Sequence, residues 1–163
     1  MIARLLGFVV SLGVALIGLG LQWIEFPGLE LTADGFETLT LANAFLVVLG
    51  LGVFVVFYFK GLAQRLLAGS LTLVAGYAVY ISANSLLNSS PIIDRLVSVT
   101  GIVGQNPEFS FNSLSIAVYF IGLFGYLAFS SFTVFRPVVS RGSKRITKNN
   151  DDDDPIGIWD EQS

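Results

Sequence analysis

Four apolar runs, each without Asp, Glu, Lys, Arg or His, restrict what this chain can fold into. They lie at about residues 5–22, 41–59, 66–87 and 114–135. A helix rises about 1.5 Å per residue and the hydrocarbon core of a bilayer is about 30 Å thick, so about 20 apolar residues form one span. The pattern predicts an all-α membrane protein in which residues 1–135 form a four-helix transmembrane bundle.

The first run also has a second interpretation, a cleaved signal peptide. Arg4 precedes the apolar core, and Gly18-Leu19-Gly20 loosely resembles a cleavage site. The core is long for a signal, and a following Gln-Trp is a poor cleavage context. We therefore treat this run as a retained span.

Composition supports a membrane protein and excludes several kinds of site. The chain is 53% hydrophobic and 13% charged, whereas soluble domains average about 25% charged residues. It has no cysteine and no histidine, which removes disulfides, thiolate nucleophiles and the commonest general base and metal ligand. Proton relays, ion-coupled transporters and voltage sensors need ionisable groups within the bilayer. The four apolar runs contain no Asp, Glu, Lys, Arg or His, which argues against these functions. We predict no enzymatic activity, no cofactor and no metal site.

Basic residues predict the orientation. If the first helix enters from the cytoplasm, only Arg95 of the nine bases lies outside. The cytoplasmic bases are then Arg4, Lys60, Arg65, Arg136, Arg141, Lys144, Arg145 and Lys148. Bases that flank spans are retained on the cytoplasmic side, so we predict a multi-pass protein of the cytoplasmic (inner) membrane with both termini inside.

The two outer loops each contain a short alternating segment. LELTA, residues 29–33, precedes Asp34-Gly35, a turn dipeptide, and PEFSFNS, residues 107–113, precedes the fourth span. One interpretation is that the two segments pair into a small extracytoplasmic sheet, or β-cap, over the bundle. The other is two unrelated loops with ordinary alternation. The loop carboxylates are assigned no site.

Small residues recur at helical spacing in two of the spans. The predicted helix-packing positions are Gly7, Ser11, Ala15, Ala68, Thr72 and Gly76. Such ridges let helices approach closely, because lipid supplies no hydrophobic drive for helix association. Packing within the bundle is one use of these ridges, and dimerisation or docking against a larger membrane protein is the alternative.

The tail, residues 136–163, is predicted to be a disordered cytoplasmic segment. Its bases should lie against anionic headgroups, whereas the run Asp151–Asp154 is repelled from them. This arrangement would hold Ile156, Ile158 and Trp159 in the cytosol as a docking peptide for a cytoplasmic partner. A disordered tail without a partner is the alternative.

The chain as a whole resembles the tryptophan-associated transmembrane protein family of actinobacteria. The resemblance rests on four spans, Trp23 at the end of the first, LELTADG before the second, KGLAQRLLAGSLTLVAGYAV entering the third, and a basic then acidic tail with a late tryptophan. In that family the acidic, tryptophan-containing tail is longer. The resemblance implies this topology and a possible link to tryptophan biosynthesis, and the family has no established reaction.

Two functions follow as the main hypotheses, with a membrane enzyme that uses the outer-loop carboxylates ranked third. The first is a small tetraspan integral membrane protein that serves as a binding, scaffold or accessory subunit of a larger membrane assembly. The alternative is a component of transport of tryptophan or another aromatic metabolite. The expected partners are membrane lipids, other membrane proteins and a cytoplasmic protein bound through the tail, with no nucleic acid.

Overall fold

A computed structural model describes residues 2–26, 31–90, 92–94 and 108–136. Four long helices dominate it: α1 (Ile2–Gly20), α3 (Thr40–Tyr58), α4 (Leu62–Leu87) and α5 (Ser113–Phe135). The shorter elements are strands β1 (Gln22–Phe26), β2 (Leu31–Asp34) and β3 (Ser110–Phe111) and the one-turn helix α2 (Gly35–Thr38). By length and composition all four long helices can cross a membrane, which confirms the predicted multi-pass helical architecture.

Two helix boundaries differ from the prediction, and each difference has a local cause. The first span was predicted to reach residue 22, but α1 ends at Gly20 because the chain there enters β1. Helix α4 begins at Leu62 rather than near residue 66. The connection from α3 is short enough because Gly61 adopts φ +69°, a left-handed conformation that glycine reaches without steric cost.

The β-cap is present, but its pairing differs from the predicted one. The strand order is β2-β1-β3, and both neighbours run antiparallel to β1. The two alternating segments therefore join one sheet without pairing with each other, because β1, which was not predicted, lies between them. Asp34-Gly35 is not a hairpin turn either. The Asp34 carboxylate caps α2 by accepting a hydrogen bond from the Glu37 amide at 2.8 Å.

The long helices form a closed ring in which each helix packs against two others. Helix α1 has its largest contact with α5 and a smaller one with α3, while α4 packs between α3 and α5. The buried side chains of α4 are mostly small, and they include Ala68, Ala75 and Ala78. Short side chains let α4 approach its neighbours closely. Larger buried side chains come from the other three long helices and include Phe8, Leu49 and Tyr126.

Charged side chains of the described residues are sorted between the two ends of the bundle. Those in or beside the sheet are carboxylates, namely Glu25, Asp34, Glu37 and Glu108, and Asp94 follows the end of α4 on the same side. Those at the opposite end are bases, namely Arg4, Lys60, Arg65 and Arg136. Arg4 and Arg136 both lie over the Phe132 ring, with their Cζ atoms 4.8 and 5.6 Å from its centroid. The start of α1 and the end of α5 therefore meet at this end of the bundle.

Candidate functional site

The predicted ridge of α1 faces α5. A Cβ atom built on Gly7 would lie 2.5 Å from the Phe129 ring, and Ala15 is fully buried. Facing the ridge, a Cβ atom on Gly122 would lie 2.7 Å from the Ser11 carbonyl oxygen and 2.3 Å from the Ala15 nitrogen. These distances mean that two helix backbones touch directly, so this ridge is used inside the bundle.

The predicted ridge of α4 coincides only in part with the face that packs. Ala68 is fully buried, and the Thr72 hydroxyl donates to Ser130 Oγ at 3.0 Å. Gly76 lies beside the contact, because a Cβ atom built there would meet no described atom within 4 Å. The buried face of α4 instead follows Gln64, Ala68, Leu71, Ala75, Ala78 and Ser82.

A line of buried polar side chains, here called the polar seam, runs along α5. Its members are Ser115, Tyr119, Tyr126, Ser130 and Thr133. On α4, Ser82 and Thr72 meet this line through the Ser82–Tyr119 contact, 3.0 Å between hydroxyl oxygens, and the Thr72–Ser130 contact. Helix α3 joins through its backbone, because the Tyr126 hydroxyl donates to the Leu49 carbonyl at 2.9 Å. The seam therefore ties three helices together.

The chemistry of the polar seam is limited to hydrogen bonding. Its groups are hydroxyls, and none carries charge at neutral pH. Thr133 and Ser130 also donate to carbonyls of their own helix, at 2.9 and 3.0 Å. Among the described residues, every buried polar side-chain atom has a hydrogen-bond partner. Such a network stabilises the bundle and leaves no free polar group aimed at a substrate.

Sequence reasoning missed the seam, although a signal for it was present. Ser115, Tyr119, Tyr126, Ser130 and Thr133 recur three, four or seven residues apart within an otherwise apolar run. That spacing places them on one helix face. Polar residues on one face of a span indicate a face turned toward other helices. Gly122, in the middle of the same face, marks the point of closest approach to α1.

An apolar groove lies on the outside of the bundle between α1 and α3. Its volume is about 360 Å³. Its lining is Leu12, Leu16, Phe36, Asn43, Leu46, Val47 and Gly50. Asn43 lies in the first turn of α3, so the polar lining is confined to the end near the sheet. The groove therefore offers a mainly apolar surface.

The remaining candidate residues are loop carboxylates and tail positions. Asp34 is engaged as the cap of α2, and among the described residues no three Asp, Glu, His or Cys side chains are close enough to hold a metal ion. The tail-docking positions Ile156, Ile158 and Trp159 lie outside the described residues. They stay predictions from the sequence.

No protein-family model, curated protein or solved structure matches this chain. The resemblance to the tryptophan-associated family therefore stays a prediction.

Proposed function

We propose that this protein is a small tetraspan protein of the cytoplasmic membrane that acts by binding other proteins, as a scaffold or accessory subunit, and not by catalysis. The observation that carries the proposal is the closed interior. All buried polar side-chain atoms in the described residues are paired, and α1 meets α5 at backbone distance along Gly18 and Gly122. Binding is then left to the outer faces of the helices and to the two ends.

The separation of charge supports an orientation with the sheet outside and both termini inside. Bases that flank spans are retained in the cytoplasm, and the four bases among the described residues lie at the end opposite the sheet. Carboxylates have little influence on orientation, so their position at the sheet end is compatible with the outer side.

Cysteine labelling tests this orientation cleanly, because the chain has no cysteine of its own. In intact cells an impermeant thiol reagent should label Ser89→Cys, which follows α4 at the sheet end, and should spare Ser163→Cys until the membrane is opened. Labelling of both variants after permeabilisation is the control for reactivity. If only Ser163→Cys were labelled in intact cells, the proposed orientation would be wrong and the C-terminus would lie outside.

The binding function is proposed to use the tail. Tryptophan residues often dominate the binding energy of small interfaces, and Trp159 with Ile156 and Ile158 follows a run of four aspartates that lipid repels. Removing residues 156–163 should abolish recovery of cytoplasmic partners. It should leave insertion and bundle stability unchanged, since the spans and their flanking bases are intact.

The test is purification of full-length and truncated protein from native membranes, followed by identification of the proteins that accompany each. A second variant replaces Ile156 and Ile158 by serine and keeps the length of the tail. It should lose the same cytoplasmic partners if the apolar side chains, and not the tail length, make the contact. If truncated and full-length protein recover the same cytoplasmic proteins, the tail has no docking role. The second candidate, a transport component for an aromatic metabolite, then becomes the better proposal, because it needs only the membrane portion of the chain.

A further inference from the structure

The outward face of α4 differs from those of the other spans. Six exposed residues follow it at alternating steps of four and three, and together they are called the outer stripe: Leu66, Ser70, Leu73, Tyr77, Tyr80 and Asn84. Four of the six are polar, and three of them, Ser70, Tyr77 and Tyr80, lie more than a turn from either end of α4. On the other long helices, the polar residues that the described chain exposes lie within a turn of a helix end, as Asn43, Tyr58 and Ser113 do.

Two polar residues of the outer stripe, Tyr77 and Tyr80, lie deep in the membrane. The Thr72–Ser130 and Ser82–Tyr119 hydrogen bonds set α4 against α5, and residues 119 and 130 lie on either side of the middle of α5. Tyr77 is midway between Thr72 and Ser82, so it lies near mid-depth. Tyr80 is one helical turn nearer the sheet, well within the roughly 15 Å half-thickness of the hydrocarbon core.

At that depth the Tyr77 and Tyr80 side chains are exposed, and their hydroxyls have no partner among the described residues. Tyr77 is 54% and Tyr80 63% exposed. An unpaired hydroxyl in hydrocarbon is costly. Ring contacts hold the pair in place: Phe45 packs edge-on against Tyr77 at 5.7 Å, and Tyr77 stacks on Tyr80 at 6.5 Å. The two rings therefore pack against each other, and the Tyr77 ring also packs against Phe45.

We propose that the outer stripe is the interface between two copies of this chain. Two copies inserted in the same orientation are related by a twofold axis along the membrane normal, so α4 packs parallel to its symmetry mate and like residues meet. A tyrosine hydroxyl carries both a donor and an acceptor. The Ser70 hydroxyl already donates to the Leu66 carbonyl and the Asn84 side chain accepts from Asn88, so the groups available for pairing are those of Tyr77 and Tyr80. Such groups can pair with their own copies, and the stripe holds no charge to oppose this.

The spacing and the small residues beside the stripe fit the same partner. Alternating steps of four and three keep the outer stripe facing a parallel helix that crosses at about 20°. Gly69 and Gly76 flank the outer stripe, and Cβ atoms built on them would meet no described atom within 4 Å. This free space would let the second helix approach closely. The inference goes beyond the proposed function and does not depend on the tail.

Disulfide crosslinking in membranes tests the proposal, again in a chain without cysteines. Leu73→Cys, in the middle of the stripe, should crosslink to its own copy and give a species of twice the 17.6 kDa chain mass on oxidation. The matched control is Ile121→Cys on α5, which is 65% exposed against 77% for Leu73 and should stay monomeric. Both positions face away from the bundle, so neither change should disturb folding.

A second measurement separates the interface from random collision. Replacing Tyr77 and Tyr80 together by phenylalanine removes two hydroxyls per chain and keeps the rings. It should weaken dimerisation in liposomes by roughly tenfold and leave thermal unfolding of the monomer unchanged. Equal crosslinking of Leu73→Cys and Ile121→Cys, crosslinking of Leu73→Cys only to a different protein, or dimerisation unaffected by the double substitution would each overturn the proposal.

Discussion

The substitution Gly122→Ala is expected to lower the free energy of unfolding of the bundle by about 3 kcal/mol. The new Cβ atom would lie 2.3 Å from the Ala15 nitrogen and 2.7 Å from the Ser11 carbonyl oxygen. Both atoms belong to a helix backbone, which cannot rotate away as a side chain can. Relief requires α1 and α5 to separate along their largest contact, and this would also strain the polar seam. Chemical denaturation in detergent micelles measures the change.

Gly13→Ala is the matched control, because Gly13 lies in α1 and a Cβ atom built there would meet no described atom within 4 Å. Replacing a helical glycine by alanine where space is free is neutral or stabilising. We therefore expect the stability of Gly13→Ala to be unchanged or raised. Equal stabilities for Gly122→Ala and Gly13→Ala would mean that α1 and α5 do not meet at backbone distance.

The substitution Trp23→Ala is expected to cost about 4 kcal/mol and to release the sheet from the bundle. Trp23 is fully buried, packs edge-on against the Tyr119 ring at 5.3 Å, and donates from Nε1 to the Gly18 carbonyl at 2.7 Å. Gly35 leaves room for the indole, because a Cβ atom there would lie 2.7 Å from the Trp23 ring. Loss of the indole would empty the junction between α1, α2 and α5.

Trp23→Phe separates packing from hydrogen bonding. It keeps an aromatic ring and loses the Nε1 donor, so about 1 kcal/mol should be lost and the sheet should stay attached. Indole fluorescence follows the junction directly in a Trp159→Phe background, because the chain has two tryptophans. Buried Trp23 should resist aqueous quenchers. If Trp23 is quenched freely, or Trp23→Ala is as stable as the parent, the sheet is not anchored through this residue.

The spans were predictable because their signal is local. Each needs only a run of apolar residues long enough to cross the hydrocarbon core, and the predicted runs coincide with the long helices apart from a few residues at their ends. The presence of a sheet was weighed from alternation alone, and its central strand was missed. Trp23 and Ile24 are adjacent and both buried, because the pairing register shifts between Gln22 and Ile24. Such a bulge breaks the alternation that identifies a strand.

The sequence by itself determined that this chain has four membrane-length helices, because hydrophobic length alone decides whether a segment can cross lipid. The sequence also determined that the charged residues lie outside the four apolar runs. Tertiary structure decided which face of each helix packs. Apolar side chains in a span suit both lipid and protein, so spacing alone could not show that Gly7, Ser11 and Ala15 face α5 or that Gly76 lies beside the packed face of α4. That choice depends on backbone distance and on hydrogen bonds such as Tyr126–Leu49, which join residues far apart in the chain.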